Sequence, residues 1–320
     1  MKQLIKSRAP LRISFIGGGT DVSPFPETYG GIVINATISK YVHATLRFDK
    51  ESVKHNDIVR AVMKELHFDI DDDGFSVDIK SDVASCSGLG GSSAVFVAVI
   101  GLFNELLEPS TSMDNYQIAE LAYKLERDEL KNIGGRQDQY ATAFGGTNMI
   151  EFWGDNHVRL TPLKLKQETI LELEDRLVLL DLGARKASGN IIKDQIKNIK
   201  KKGIELAAML STKAMVKAME YMLLEGKIIE FGEMLDEAWR FKKSFSNMIT
   251  NPEIDKLYDD LKKVGVIGGK ISGAGGGGHM FVLCKAFTKD KVEEVAKEWG
   301  AEIVPFKFED SGLVVWRSNF

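Results

Sequence analysis

Residues 83–98 read VASCSGLGGSSAVFVA, a run of small residues that passes straight into an apolar, helix-forming stretch. Backbone N–H groups in such a loop converge at the N-terminus of the following helix, where the helix dipole favours negative charge and glycine lets the main chain approach an anion closely. Phosphate is the natural guest for Gly88, Leu89, Gly90 and Gly91. The hydroxyls of Ser92 and Ser93 add hard oxygen donors for phosphate or for Mg²⁺. A structural turn with a serine N-cap is the competing use of the same residues. Farther along, LERDELKNIGGRQDQYATAFGG places Glu126 on a helix and Asp138 after a Gly-Gly turn, with Arg136 beside it. Two carboxylates thus reach one region from different elements.

Two more glycine-rich segments extend the pattern. RAPLRISFIGGGTD ends a strand at Gly17, Gly18 and Gly19 and delivers Thr20 and Asp21 into a loop with prolines. A hydroxyl beside a carboxylate suits the hydroxyls of a polyol or sugar, and equally an Asx-turn. KISGAGGGGHMFVLC has five glycines in residues 273–278, Gly275 and Gly276 among them. So many glycines cost backbone entropy, which points to close approach by another backbone or a ligand. Two nucleotide motifs are excluded. A Walker A loop needs Gly-Lys-Ser/Thr after its first glycine and four residues, but GLGGSSAV has no lysine and Lys270 precedes Ile271. A dinucleotide fingerprint needs a helix where FIGGGTDVSPFP has prolines.

The elements that must position these residues can be read from periodicity. LRISFIG at 11–17, GIVINATI and YVHATLRF between 31 and 48, and FSVDIKS at 75–81 have the β-branched and alternating character of strands. AVFVAVIGLFNELL from Ala94 and QIAELAYKLERDEL at 117–130 read as helices. RLVLLDLGA at 176–184 is a strand, residues 190–264 are helical, and the end alternates strand, helix, strand. Met209, Met215, Met219 and Met222 fall at helical spacing and are expected in a core. The layout is α+β, divided near residue 170 into 1–170 and 171–320.

Composition narrows the classes further. The chain has 320 residues, 44% hydrophobic and 28% charged, with a formal net charge of −4, which fits a globular protein rather than a disordered or fibrous one. KNIKKKG at 197–203 is the densest cationic run and reads as a solvated helix face, so no nucleic acid partner is expected. Cys86 and Cys284 are isolated, which supports neither a disulfide framework nor a zinc site. No secretory leader or membrane span is visible, so a soluble cytoplasmic protein without a membrane partner is expected.

Taken in order, RAPLRISFIGGGTD, SCSGLGGSSA and KISGAGGGGHMFVL resemble the three motifs of the GHMP kinase superfamily, over nearly the whole chain. GGGTD with GGIVINATISKYVHATL, and the later LGARKASGNI, are most similar to the heptose-phosphate kinase branch, which is related to fucokinases and galactokinases. The resemblance implies an N-terminal domain like ribosomal protein S5, a C-terminal ferredoxin-like domain and a cleft site between them. It implies ATP held by Gly88–Ser93, with Mg²⁺ on Ser92 and Glu126. It also implies a catalytic Asp138 with the catalytic basic residue Arg12 placed beside it, and Gly18, Gly19, Thr20, Asp21, Gly275 and Gly276 around the sugar. Galactokinases carry Glu-His where this chain has Gly18-Gly19, leaving space for a different or larger sugar. Arg185 and Lys186, with Arg136 as the alternative, are the expected cations for a phosphate already on the substrate. The implied reaction is phosphorylation of the anomeric hydroxyl of a sugar phosphate, feeding nucleotide-activated heptose for surface polysaccharides. An L-fucose or other hexose 1-kinase is the nearest alternative, and a non-catalytic ATP and sugar sensor lies in a different class. A homo-oligomer is compatible with the sequence.

Overall fold

The first strand-forming run becomes the spine of the molecule, seen in a computed structural model that describes residues 3–48, 56–69, 74–154, 157–183 and 189–319. Strand β1 (Gln3–Ile16) pairs antiparallel with β2 (Gly31–Arg47) on one side and, on the other, with β10 (Val314–Asn319) from the far end of the chain. With β3 (Ser76–Ser81), β4 (Thr147–Phe152) and β5 (Val158–Pro162) they form a six-stranded sheet in the order β10-β1-β2-β4-β5, with β3 also on β2. A second sheet has the order β7-β8-β6-β9, from β6 (Leu177–Asp181), β7 (Val266–Ile271), β8 (His279–Cys284) and β9 (Glu302–Ile303). The short α1 (Phe25–Tyr29) joins β1 to β2. Helices α2 (Asp57–Glu65), α3 (Gly91–Asn104), α4 (Asn115–Asp128) and α5 (Gln137–Phe144) go with the first sheet. The remainder are α6 (Gln167–Arg176), α7 (Gly189–Lys201), α8 (Ile204–Glu225), α9 (Ile228–Lys243), α10 (Pro252–Val264) and α11 (Lys289–Glu298).

Each helix near the glycine loops has a local reason to form. Helix α3 is apolar all round, and ten of its 14 residues are buried, as expected of a helix packed on every side. Helix α4 starts at a capping box in which Asp114 accepts from the Gln117 backbone and Gln117 reaches back to the Asp114 N–H. That start sets the register: Glu126 lies seven residues after Ala119 and four after Ala122, so it shares their buried face.

Some elements differ from the sequence expectation. GIVINATI and YVHATLRF form one 17-residue strand. Chain direction holds between them because Ser39 donates its N–H to Lys307 and Ile38 bridges Phe308, so no turn is needed at the polar Ser39-Lys40 pair. The helical region 190–264 is four helices, interrupted at Gly203, at the left-handed Gly226 and at Asn251-Pro252. Met209 and Met219 are in the core, with Met215 and Met222 packed on it.

The two sheets share a core. Phe15 of β1 is fully buried and meets Phe231 of α9, Phe281 of β8 and Phe308 edge-on at ring separations of 5.4, 5.7 and 6.3 Å. Such pairs each contribute roughly 0.5–1.5 kcal/mol beyond burial. The glycine tract at 273–278 lies against the loop at 86–88: a Cβ on Gly278 would fall 2.5 Å from the Ser87 carbonyl oxygen, at φ +74°. His279 secures this contact, because its backbone N–H and ring Nδ1 both lie 2.9 Å from that oxygen.

Gly278→Ala should therefore lower stability by roughly 2–3 kcal/mol by moving Ser87, whereas Gly300→Ala should cost only about 1 kcal/mol. Gly300 has a similar φ of +77° but no neighbour within 4 Å of an added Cβ. Equal losses in denaturant unfolding would show that packing between the two segments contributes nothing.

Candidate active site

Arg12 is the first residue to place, because it touches three of the segments singled out in the sequence. Its backbone N–H donates to Leu89 O at 3.0 Å, which pins the glycine-serine loop to β1. Its Nη1 donates to Gly88 O at 2.7 Å, and to Ser272 Oγ at 3.4 Å just before the third glycine tract. Its Nε donates to Asp138 Oδ1 at 2.7 Å, with Nη2 at 2.6 Å from the same oxygen. The Arg12 side chain is 3% exposed and Asp138 25%, so the guanidinium is enclosed while the carboxylate faces the cavity. Asp138 occupies the first turn of α5, where the helix dipole also favours a negative charge. Gly90, left-handed at φ +82°, caps α3 and leaves the loop beside Arg12 and Asp138.

Glu126 is buried at 6% exposure and accepts from two side chains at the same oxygen: Ser93 Oγ at 2.9 Å and Gln139 Nε2 at 2.7 Å. The hydroxyl joined to Glu126 is thus that of Ser93, while Ser92 lines the cavity with an exposed side chain. This set of a carboxylate and a hydroxyl suits a hard cation that takes most of its ligands from phosphate and water. Among the described residues no cluster of three or more His, Cys, Asp or Glu is placed to hold a metal.

Asp21 is also enclosed, at 3% exposure. Its Oδ1 accepts from Gly19 N at 2.9 Å and its Oδ2 from Gln137 N at 3.2 Å. Burial pushes its carboxyl above the usual carboxylate range; the Gly19 bond pulls it back and the neighbouring Asp138 charge pushes it up again. A Cβ on Gly135 would fall 1.8 Å from Asp21 Oδ2, so the Gly-Gly turn before Asp138 exists to let this carboxylate in. Thr20 is used differently: its Oγ1 donates to Ile32 O and accepts from Ile32 N, both at 3.0 Å, and so ties the loop to β2.

A group of cations lies behind Asp21. Lys242, on α9 and 4% exposed, donates from Nζ to Gly18 O at 2.7 Å. Burial lowers it to about 8, with Asp21 opposing the shift. Lys270 donates to Ser14 O and sits 5.2 Å from the Phe281 ring centroid; burial, then the charges of Lys242 and Arg12, hold it well below the ordinary lysine value.

These residues surround one cavity of about 550 Å³, within the usual range for small-molecule sites. Its wall includes Arg12, Gly18, Gly19, Asp21, Gly88, Gly90 to Ser93, Glu126 and Asp138. From the third tract the lining residues are Gly273 and Ala274. Gly275 and Gly276 instead approach Ile249 and Met248, and Gly276 donates its N–H to Ile249 O at 2.8 Å. Arg136 lies over the Tyr123 ring at 4.5 Å and 3.9 Å from Glu120. Arg185 and Lys186 lie outside the described residues. Sequence reasoning missed Gln137, Gln139, Gln195, Lys242 and Lys270. The two glutamines flank Asp138 in RQDQ and were open to notice, while Lys242 in RFKKS looks like an ordinary helix-surface cation.

The GHMP kinases N terminal domain model matches residues 54–146, and the GHMP kinases C terminal model matches residues 215–304. A D-glycero-alpha-D-manno-heptose 7-phosphate kinase of Campylobacter jejuni is 33% identical over 98% of this chain and 99% of its own. The crystal structure of a D-glycero-D-manno-heptose 1-phosphate kinase from Bacteroides thetaiotaomicron superposes with a TM-score of 0.81 at 27% identity, covering 99% of this chain and 100% of that one. An L-fucokinase/L-fucose-1-P guanylyltransferase of Bacteroides fragilis is 24% identical over 99% of this chain but only 39% of its own length.

Because Lys242 holds its proton less tightly folded than unfolded, its contribution to stability should rise as pH increases from 7 to 10. Against Lys242→Met, the wild-type unfolding free energy should gain roughly 2 kcal/mol over that interval. A difference that stays constant with pH would mean that the ammonium is not desolvated.

Proposed function

This chain belongs to the GHMP kinases, and from that premise we propose that it transfers the γ-phosphoryl group of ATP to the anomeric hydroxyl of D-glycero-D-manno-heptose 7-phosphate. The observation that carries the reading is the Arg12–Asp138 pair, held between the glycine-serine loop and Asp21 in one cavity. The loop amides of Gly88 to Ser93 cradle the phosphates of ATP, using the N-terminus of α3. The sugar lies toward Gly18, Gly19 and Asp21. Asp138 accepts the proton of the anomeric O–H as that oxygen bonds to the γ-phosphorus. The bond from phosphorus to the bridging oxygen breaks and ADP leaves. An anomeric hydroxyl is more acidic than an ordinary sugar alcohol, which suits a carboxylate base. Arg12 holds Asp138 in place and offers positive charge beside the transferred group, where most of the catalysis of phosphoryl transfer is found.

Mg²⁺ fits this site through Ser93 and Glu126, with Ser92 exposed to the phosphates. When bound, it would neutralise phosphate charge. In this reading residues 1–170 would be the nucleotide-holding unit and 171–320 the second unit, with β10 returning to the first sheet. The use of ATP as donor supports a cytoplasmic location for the proposed kinase. No helix among the described residues is long and apolar enough to cross a membrane.

Turnover is tested by ADP release with heptose 7-phosphate, heptose 1-phosphate, L-fucose and D-galactose, followed by phosphorus NMR of the product. Heptose 7-phosphate should give the highest kcat/KM and a new phosphate on C1. No ADP with any sugar would make the chain a sensor, and a preference for fucose would make it a hexose 1-kinase. Asp138→Asn should lower kcat by about 10³-fold or more while ATP affinity changes less than about threefold. Near-normal turnover in that variant would remove Asp138 from the chemistry.

A further inference from the structure

The wall of the cavity contains two enclosed polar side chains that the proposed reaction does not use. Gln195 of α7 is 2% exposed, and its Nε2 has no hydrogen-bond partner among the described residues. Lys242 of α9 has three donor positions, and Gly18 O is its one described acceptor. Both line the same cavity as Gly18, Gly19 and Asp21. Burying an amide or an ammonium without its full complement of partners is unfavourable, so donors aimed at a cavity point to a ligand that supplies acceptors.

Gly19 shows how they meet. A Cβ there would lie 3.2 Å from Gln195 Oε1 and 3.2 Å from Lys242 Nζ. The space left by the missing side chain of Gly19 is thus bordered by two polar groups arriving from the second unit, while Gly18 faces Gln137 and Ser14. Both are firmly placed. Asp194 accepts from Ser246 Oγ at 2.6 Å, and Asn198 Nδ2 donates to Phe245 O at 3.1 Å, so α7 is clamped to the segment after α9 on both sides of Gln195. Lys242 Nζ lies 4.8 Å from the centroid of the Phe245 ring, which belongs to that segment.

We infer that Lys242 and Gln195 are specificity-determining contacts for the acceptor, donating hydrogen bonds to two neighbouring oxygens of a polyhydroxylated sugar while Asp21 accepts from a third hydroxyl. The inference rests on the reading of this cavity as a sugar kinase site. It selects acceptors with adjacent hydroxyls and works against analogues lacking one of them, because the deoxy compound leaves a buried donor unpaired.

The experiment uses the full chain, heptose 7-phosphate and its 2-, 3- and 4-deoxy analogues, with Gln195→Leu and Lys242→Met as near-isosteric variants. ATP binding and unfolding midpoints are measured in parallel to show that each variant is folded. In the wild type at least one deoxy analogue should lose about 100-fold or more in kcat/KM. In the variant that has lost the matching donor, that penalty should shrink to less than about threefold, with the KM for ATP unchanged. Penalties of wild-type size in both variants would overturn the inference while leaving the kinase reading intact. Failure of the wild type to phosphorylate any sugar would overturn both.

The wild type alone provides a second readout. The charged groups facing Lys242 are Asp21 and Lys270. As pH rises from 7 to 9.5 the ammonium should lose its proton, and the acceptor KM should rise by about tenfold while the KM for ATP stays flat. An acceptor KM that does not change over this range would count against Lys242.

Discussion

The ion pair between Arg12 and Asp138 is the constraint on which the site depends. Arg12 stands in β1 opposite Thr37 of β2 and beyond Arg8, where the pairing with β10 ends, so the other edge of the strand is open there to serve neighbours outside the sheet. Its main chain holds Leu89 and its guanidinium holds Gly88 and Asp138. One residue thereby fixes the distance between the loop that would hold phosphates and the carboxylate that would accept a proton. Removing the Asp138 carboxylate leaves the enclosed Arg12 guanidinium without its ion-pair partner, and an uncompensated buried charge commonly costs about 3–5 kcal/mol. Damage at Arg12 would therefore spread to the loop and to α5 together.

The rest of the architecture keeps that arrangement closed. Phe15, two residues past the Ile13 that follows Arg12, anchors β1 into the second sheet through Phe231 and Phe281. The third glycine tract packs backbone to backbone on Ser87 and Gly88, and His279 locks the contact. Two units with separate sheets thus meet over a common apolar core and a common rim of glycine. The polar residues at their junction are held at some expense to stability: Lys242 and Lys270 are both buried cations shifted down by desolvation. Such residues persist where binding requires them.

Much of this was legible in the sequence, and the rest was hidden for physical reasons. The glycine loops stood out because a run such as GLGGSS before an apolar helix suits anion binding, with a structural N-cap as its competing use. Asp138, Glu126 and Asp21 could be found because each sits beside a turn or on an identifiable helix face. Ser92 was the expected partner of Glu126, yet Ser93 is the hydroxyl that meets it, because adjacent residues at a helix start point about 100° apart and only the position of α4 decides between them. Helix α5 was missed because it is eight residues long and its amphipathic period is weak. Thr20 was assigned to a ligand by its type, yet the strand beside it took the hydroxyl first. Gln195 and Lys242 belong to helices outside the three glycine motifs, and their inward direction follows from tertiary packing alone. The joining of GIVINATI and YVHATLRF into one strand depends on residues 307 and 308, a non-local effect.

The central claim is one of position: a sugar hydroxyl, a terminal phosphate and Asp138 converge where Arg12 has set the geometry. A crystal structure of the chain with a non-hydrolysable ATP analogue, Mg²⁺ and heptose 7-phosphate measures it directly. The anomeric oxygen should lie within about 3–3.5 Å of the γ-phosphorus and within hydrogen-bond distance of an Asp138 oxygen. An anomeric oxygen turned away from both, with the acceptor bound outside the pocket of Gly19, Asp21, Gln195 and Lys242, would contradict it.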